Sequence, residues 1–527
     1  MPNRPSSRAG IALASLAVLA ATAVSACSPD SGTGETASIP AVPAALSDQK
    51  PHWTACSAPS TAQGGGDVPE NLPDGTTWQC STMRAPLDYA HPDDGTIELA
   101  LVRAKSSRKA NRERLGSLVF NFGGPGASGV STLPLFAEDT YAKLHERYDL
   151  VSFDPRGVGD SAGVKCLGTK AMDAWLAVDL TPDDAAEEKA YADGVRTHAR
   201  SCEDNSGIAL NHVGTQDAAR DLDLMRHILG DEKLNYFGIS YGTQLGGVYA
   251  HLFPERVGRT VLDAVVDPTN DTLANGLGQA KGFQGALESF TKDCTKREEC
   301  FFDGKDPASG QKAVTALLDR LDTKPVPTAD GRPLTQSLAL NGIAAALYDR
   351  EMGWTVLNDG LAAAAKGDGS VLLFLADGLN ERTDDDGYAN GNAAFAAVSC
   401  ADYSDRFTAA DVRRHLPEFR EASTVFGVWM AWGLLQCTDW PVAGHAPTVE
   451  VTAGGADPVL VIGNTGDPAT PYEGAKRMAE KLGKGVGISL TVDGEGHGTY
   501  GANDCLTELV DTYLLDGTVP EDNTTCS

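Results

Sequence analysis

The feature that most restricts how this chain can fold is a rhythm that starts, stops and starts again. From about Thr96 to Val266, short apolar runs rich in β-branched residues alternate with helical patterns. TIELALV (Thr96 to Val102), SLVFNF (Ser117 to Phe122), YDLVSF (Tyr148 to Phe153), LNYFGI (Leu234 to Ile239) and TVLDAVV (Thr260 to Val266) read as strands. TQDAARDLDLMRHILG carries Leu222, Met225, Ile228 and Leu229 at helical spacing and ends on Gly230, so it reads as an amphipathic helix with a glycine cap. Such alternation predicts a mostly parallel sheet covered by helices, an α/β architecture. After Pro268 the rhythm is lost, and roughly Asn270 to Val449 shows helical segments, several Trp and polar runs such as ERTDDDGYANGN. It returns with PVLVIG (Pro458 to Gly463), a helix at YEGAKRMAEKLG, GISLTV (Gly487 to Val492) and a helix around Leu506 to Leu515. One sheet interrupted by an inserted helical cap is the economical account, with a separate second domain as the alternative. The expected division is a core at 51–269 and 450–527 with a cap at 270–449.

The ends and the cysteines point outside the cell. Arg4 and Arg8 precede an apolar run, Ile11 to Val24, that is too short and too alanine-rich for a membrane span, so residues 1–26 read as a secretory signal. Val24-Ser25-Ala26 before Cys27 resembles the bacterial lipobox, in which that cysteine is lipidated; an ordinary signal-peptidase site also fits. Residues 27–50 read as a tether, being rich in Ser, Gly, Thr, Ala and Pro. Of 11 cysteines, setting Cys27 aside leaves ten, in neighbouring couples: Cys56 and Cys80, Cys166 and Cys202, Cys294 and Cys300, Cys400 and Cys437, Cys505 and Cys526. Short intervening loops and an oxidising compartment favour bridges within these couples. A formal net charge of −29 argues against nucleic acid and against an anionic membrane surface as partners, leaving the lipid as the only membrane contact. With no C-x-x-C or H-E-x-x-H spacing and no histidine cluster, neither a metal nor a cofactor is expected.

Two stretches fit G-x-S-x-G, GISYG at Gly238 to Gly242 and GDSAG at Gly159 to Gly163. The pattern marks a nucleophile only at a sharp turn from strand to helix. Ser161 follows the irregular loop DPRGVGD, whereas Ser240 ends the strand LNYFGI and opens the helical YGTQLGGVYAHLF. A serine hydroxyl needs a histidine to take its proton and a carboxylate to orient that histidine. GNTGDPATP puts Asp467 after PVLVIG, and DGEGHGTYG puts His497 after GISLTV, both at the strand ends where Ser240 also lies. Taken singly, Asp467 fits a helix cap and His497 a loop histidine; the order Ser, Asp, His at matching strand ends joins them into one set. NFGGPGASG after SLVFNF supplies backbone N–H groups for an oxyanion hole, from Gly123 or Gly124, with Tyr241 as the second donor.

Together FGGPG, DPRGVGDS, GISYGT, TGDPATP and GHGTY resemble the tripeptidyl aminopeptidase branch of the α/β-hydrolases, relatives of the proline iminopeptidases found as exported enzymes and surface lipoproteins in actinobacteria. The resemblance runs from about Trp53 to the C-terminus. It implies an α/β-hydrolase fold with Ser240 as nucleophile, Asp467 as orienting acid and His497 as base. Phe122 departs from the histidine that proline iminopeptidases carry before GGPG, so a strict proline preference is not implied. The expected activity is that of a secreted, lipid-anchored serine exopeptidase that releases short peptides, tripeptides foremost, from the free N-termini of peptide substrates. An esterase or amidase on small acyl substrates and a non-catalytic surface-binding lipoprotein are the alternatives. An enzyme that counts residues from a free amine needs a carboxylate at a set distance from the nucleophile. Asp402, beside Cys400 in AAVSCADYSD, is the first candidate and Glu351, near Trp354, the second.

Overall fold

Among the described residues, ten strands pair into one sheet in the order β1-β2-β3-β5-β4-β6-β7-β8-β9-β10. They are β1 (Thr54–Ala55), β2 (Gln79–Pro86), β3 (Thr96–Ala104), β4 (Gly116–Asn121), β5 (Tyr148–Phe153), β6 (Leu234–Ile239), β7 (Val257–Asp263), β8 (Val459–Gly466), β9 (Gly487–Glu495) and β10 (Thr524–Cys526). Pairing is antiparallel from β1 through β3 to β5 and parallel from β5 to β10. The computed structural model describes residues 41–57, 68–107, 113–303, 306–383 and 387–527. The signal segment, Cys27 and the tether up to residue 40 lie outside the described residues.

The central strands are buried on both faces, which is why they read as nearly unbroken apolar runs. Val119, Val151 and Tyr236 point to one side, against Leu222 and Met225 of the helix Thr215–Leu229 and Leu245 of the helix Tyr241–Leu252. Leu118, Phe120, Leu150 and Phe237 point to the other, against Leu144 and against Leu506, Val510 and Leu514 of the helix Asp504–Asp516. Gly230 ends the first of these helices in the left-handed conformation, φ +83°, as its sequence predicts.

Four of the seven strands read from sequence lie within two residues of their expected ends. β8 and β9 each run three residues further than PVLVIG and GISLTV, and β7 is displaced: it begins at Val257 and leaves the sheet at Asp263, where Ala264 turns to φ +57°. β1, β2 and β10 carry no clear alternation and are held at the sheet edges, the first two joined by Cys56–Cys80 and the last tied to the final helix by Cys505–Cys526. All five expected couples are bridged, the others being Cys166–Cys202, Cys294–Cys300 and Cys400–Cys437. The 22-residue helix Ala185–Ser206, not read from the sequence, is started by a capping box between Asp184 and Glu187.

Between β7 and β8 the chain is helical, from Thr272–Cys294 through Gln336–Leu347, Ser370–Leu379 and Gly391–Asp402 to Gly427–Gly433. These helices bury an apolar cluster of their own around Phe283, Leu338, Leu357 and Phe426. They do not stand apart from the sheet, since Pro40–Ser527 forms one unit by its contacts. At Gly282 the fit is so close that a Cβ would sit 2.4 Å from the Pro468 carbonyl oxygen. The strand order reverses between β4 and its neighbours β5 and β6, and the ends of β4 and β6 there open the crevice where open α/β sheets bind ligands.

Candidate active site

Ser240 occupies the turn between β6 and the helix Tyr241–Leu252 with φ +58° and ψ −125°. That left-handed conformation in a non-glycine residue is the strained elbow that lifts a serine side chain above the sheet. The flanking glycines are required by close approach: a Cβ on Gly238 would lie 2.4 Å from the Gly242 carbonyl oxygen, and one on Gly242 would lie 2.5 Å from that of Asn121. Ser161, the rival, is fully buried, and its Oγ accepts the N–H of Ala100 at 2.8 Å, so it ties its loop to β3.

Asp467 and His497 meet as the sequence predicts. His497 Nδ1 lies 2.9 Å from both carboxylate oxygens of Asp467. Because the carboxylate can only accept, Nδ1 carries the proton and Nε2 is left unprotonated, able to accept one. Asp467 is itself held by the N–H groups of Ala469 and Thr470 on Oδ1 and the Thr470 hydroxyl on Oδ2, each at 2.9 Å. Burial pushes the imidazole pKa down, but the charge and hydrogen bond of Asp467, with a further contribution from Asp263, leave it raised above the ordinary histidine value. The cap also grips this histidine: its N–H donates to the Tyr348 carbonyl at 2.9 Å, and the Tyr348 ring meets it edge-on at 5.0 Å.

The glycine loop after β4 abuts the elbow, so that a Cβ on Gly123 would come 2.8 Å from that of Ser240. Of the expected oxyanion donors, the Gly123 N–H is engaged by Asn121 Oδ1 at 3.1 Å. Gly124 and Tyr241 line the cavity beside Ser240, which makes their N–H groups the pair suited to a developing oxyanion.

That cavity, of about 500 Å³, lies between the elbow and the cap. Phe283, Tyr348, Phe395, Trp429 and Leu434 give it apolar walls, and Glu381, Asp402 and Asp405 are its charged lining residues, with no Lys, Arg or His among those described. Asp402 accepts the Thr215 N–H on Oδ1 at 2.7 Å, and the Thr215 hydroxyl and Gln244 Nε2 on Oδ2. Burial pushes its pKa up to about 6. Adjacent Cys400 is bridged to Cys437, as expected. Glu351 is exposed and off the cavity: its N–H closes a turn on Asp349, which turns the residue outward.

Glu381, absent from the sequence reading, takes the place Glu351 was expected to fill. It follows the helix Ser370–Leu379 at φ +55°, its Oε2 accepts the Gly391 N–H at 3.0 Å, and burial pushes its pKa up to about 7. A glutamate at positive φ before a polar loop gives no signal in the sequence; only the return of the chain at Gly391 brings it to the cavity.

Comparison with known proteins places the chain among its relatives. The family model described as "TAP-like protein" matches residues 423–526. "Serine protease Hip1" of Mycobacterium tuberculosis is 35% identical over 497 residues, 91% of each chain. "Tripeptidyl aminopeptidase" of Streptomyces lividans is 32% identical over 501 residues, 91% of this chain and 90% of the relative. "Carboxylesterase B" of M. tuberculosis is 33% identical over 466 residues, 86% of each.

Proposed function

Because the chain belongs to the tripeptidyl aminopeptidase-like serine peptidases of the α/β-hydrolase fold, we propose that it is an exported, Cys27-anchored exopeptidase that releases tripeptides from free N-termini. The observation that carries this reading is the charge of the cavity: among the described residues three carboxylates and no cation line it, which suits a substrate whose buried end is an ammonium. An esterase for small neutral acyl groups gains nothing from such a lining. Five disulfides fit a protein that folds outside the reducing cytoplasm.

In this reading Ser240 Oγ attacks the third peptide carbonyl as His497 Nε2 takes its proton. Asp467 holds the imidazolium, and the N–H groups of Gly124 and Tyr241 receive the oxyanion. His497 then protonates the leaving amine, and water, activated by the same base, releases the tripeptide from Ser240. The ammonium pairs with one of the lining carboxylates, Asp402 or Glu381. Asp402 already accepts three protein donors, whereas the Glu381 carboxylate accepts the Gly391 N–H and has capacity to spare.

The test is a ladder of peptides, each free or N-acetylated, with products identified by mass. Tripeptides from free-amine substrates only, with Glu381→Gln or Asp402→Asn raising KM for these and sparing small neutral esters, are the expected result. Equal cleavage of acetylated and free peptides would favour the esterase or endopeptidase reading, to which the likeness to "Carboxylesterase B" also points.

A further inference from the structure

Asp263 ends β7 beside the nucleophile, and its side chain has no part in the reaction just described. It is 2% exposed. Its carboxylate accepts three donors, all from the loop that carries the histidine: the N–H of Thr499 at 2.8 Å and of Tyr500 at 2.9 Å on Oδ2, and the Thr499 hydroxyl at 2.9 Å on Oδ1. Its backbone carbonyl accepts the N–H of Ser240 at 3.1 Å. One residue thus holds the nucleophile with its main chain and the histidine loop with its side chain. No Lys or Arg is paired with it among the described residues, so its charge is balanced by these donors alone. Burial raises the Asp263 pKa, and the hydrogen bonds from Thr499 and Tyr500 oppose that rise; an amide in its place could keep an acceptor for these donors but not the charge.

We propose that Asp263 is a positioning residue of the reaction: it keeps the base in register with the nucleophile and places a second negative charge near the imidazolium formed when His497 takes the serine proton. The rise in the His497 pKa, to which Asp263 contributes after Asp467, supports this. The other titratable groups around the pair are Asp467 and the phenols of Tyr141, Tyr348 and Tyr500, whose pKa values, ordinarily about 10, burial raises further. The charge that changes with Asp263 is therefore its own.

The inference rests on Ser240, Asp467 and His497 being the reacting set, so Ser240→Ala is measured beside Asp263→Asn; activity surviving in Ser240→Ala would remove that premise. Asp263→Asn is expected to lower kcat by roughly 10–100-fold with KM nearly unchanged, on peptides and neutral esters alike. The acid limb of its kcat/KM profile is expected at lower pH, because the imidazolium loses a stabilising charge. A folded Asp263→Asn enzyme with the parent's kcat and acid limb, or one altered in thermal stability or KM alone, would overturn the proposal. Should Asp263→Asn fail to fold, Thr499→Val removes one donor and keeps the charge. A fall in its kcat with KM and the acid limb held is expected, and an unchanged kcat would overturn the proposal.

Discussion

Holding Ser240 at positive φ costs on the order of 1–3 kcal/mol, and the close-packed glycines on either side keep it there. The same neighbourhood sets the pH at which the enzyme works. With His497 as the proposed base, turnover needs it neutral; its pKa is raised in the folded protein, so the neutral fraction is lost as pH falls through that raised value. The acid limb of kcat/KM for a neutral ester, which avoids titration of the substrate amine, is therefore predicted above pH of about 6.5, the ordinary histidine value. A limb at or below it, in a pH–rate profile, would contradict the Asp467 and Asp263 contributions. Free-amine peptides should show a second dependence, KM rising as Glu381 protonates near its pKa of about 7. At this scale the three residues of the proposed triad could be placed from sequence because each follows the end of a strand in a glycine-marked loop. Asp263 was read as an ordinary strand residue, since nothing in TVLDAVV shows that the strand ends there.

Among the elements, the loop DPRGVGD after β5 shows how a motif without a catalytic atom still serves the site. Arg156 is 1% exposed and forms a two-pronged pair with fully buried Asp221 of the helix Thr215–Leu229, at 2.7 and 2.6 Å. Tyr89 donates to the same carboxylate at 2.8 Å, and the remaining guanidinium N–H groups reach the carbonyls of Leu87, His212 and Pro86. This network fixes the helix whose first residue, Thr215, holds Asp402 in the cavity wall. Arg156→Met is predicted to destabilise the fold by about 3–5 kcal/mol, because it leaves Asp221 buried and uncompensated; denaturant unfolding would measure it, and a loss below about 1 kcal/mol would contradict the account. The central strands could be read from composition because both of their faces are buried. The edge strands could not, since β1, β2 and β10 carry no clear alternation of their own and owe their place to pairing, reinforced by Cys56–Cys80 and Cys505–Cys526.

At the scale of the whole molecule, the segment that interrupts the sheet also completes the site. The cap supplies Tyr348 against His497, Glu381 and Asp402 in the cavity, and most of the apolar wall. That it is helical was legible; which of its many acids face inward was not, because helical spacing fixes a face only once the partner of that face is known. Cys400–Cys437 joins two cap segments next to Asp402. Replacing both cysteines by serine is predicted to cost on the order of 2–5 kcal/mol and to raise KM for free-amine peptides more than for neutral esters; thermal unfolding and paired kinetics would show otherwise if the bridge were dispensable. The central claim is that this fold activates one serine, and covalent labelling tests it most directly. A fluorophosphonate probe, mapped by peptide mass, is predicted to mark Ser240 alone, to fail in Ser240→Ala and His497→Ala, whose turnover should fall on the order of 10⁴-fold or more, and to label Ser161→Ala as it does the parent. An adduct on Ser161, or no adduct on a folded protein, would contradict it.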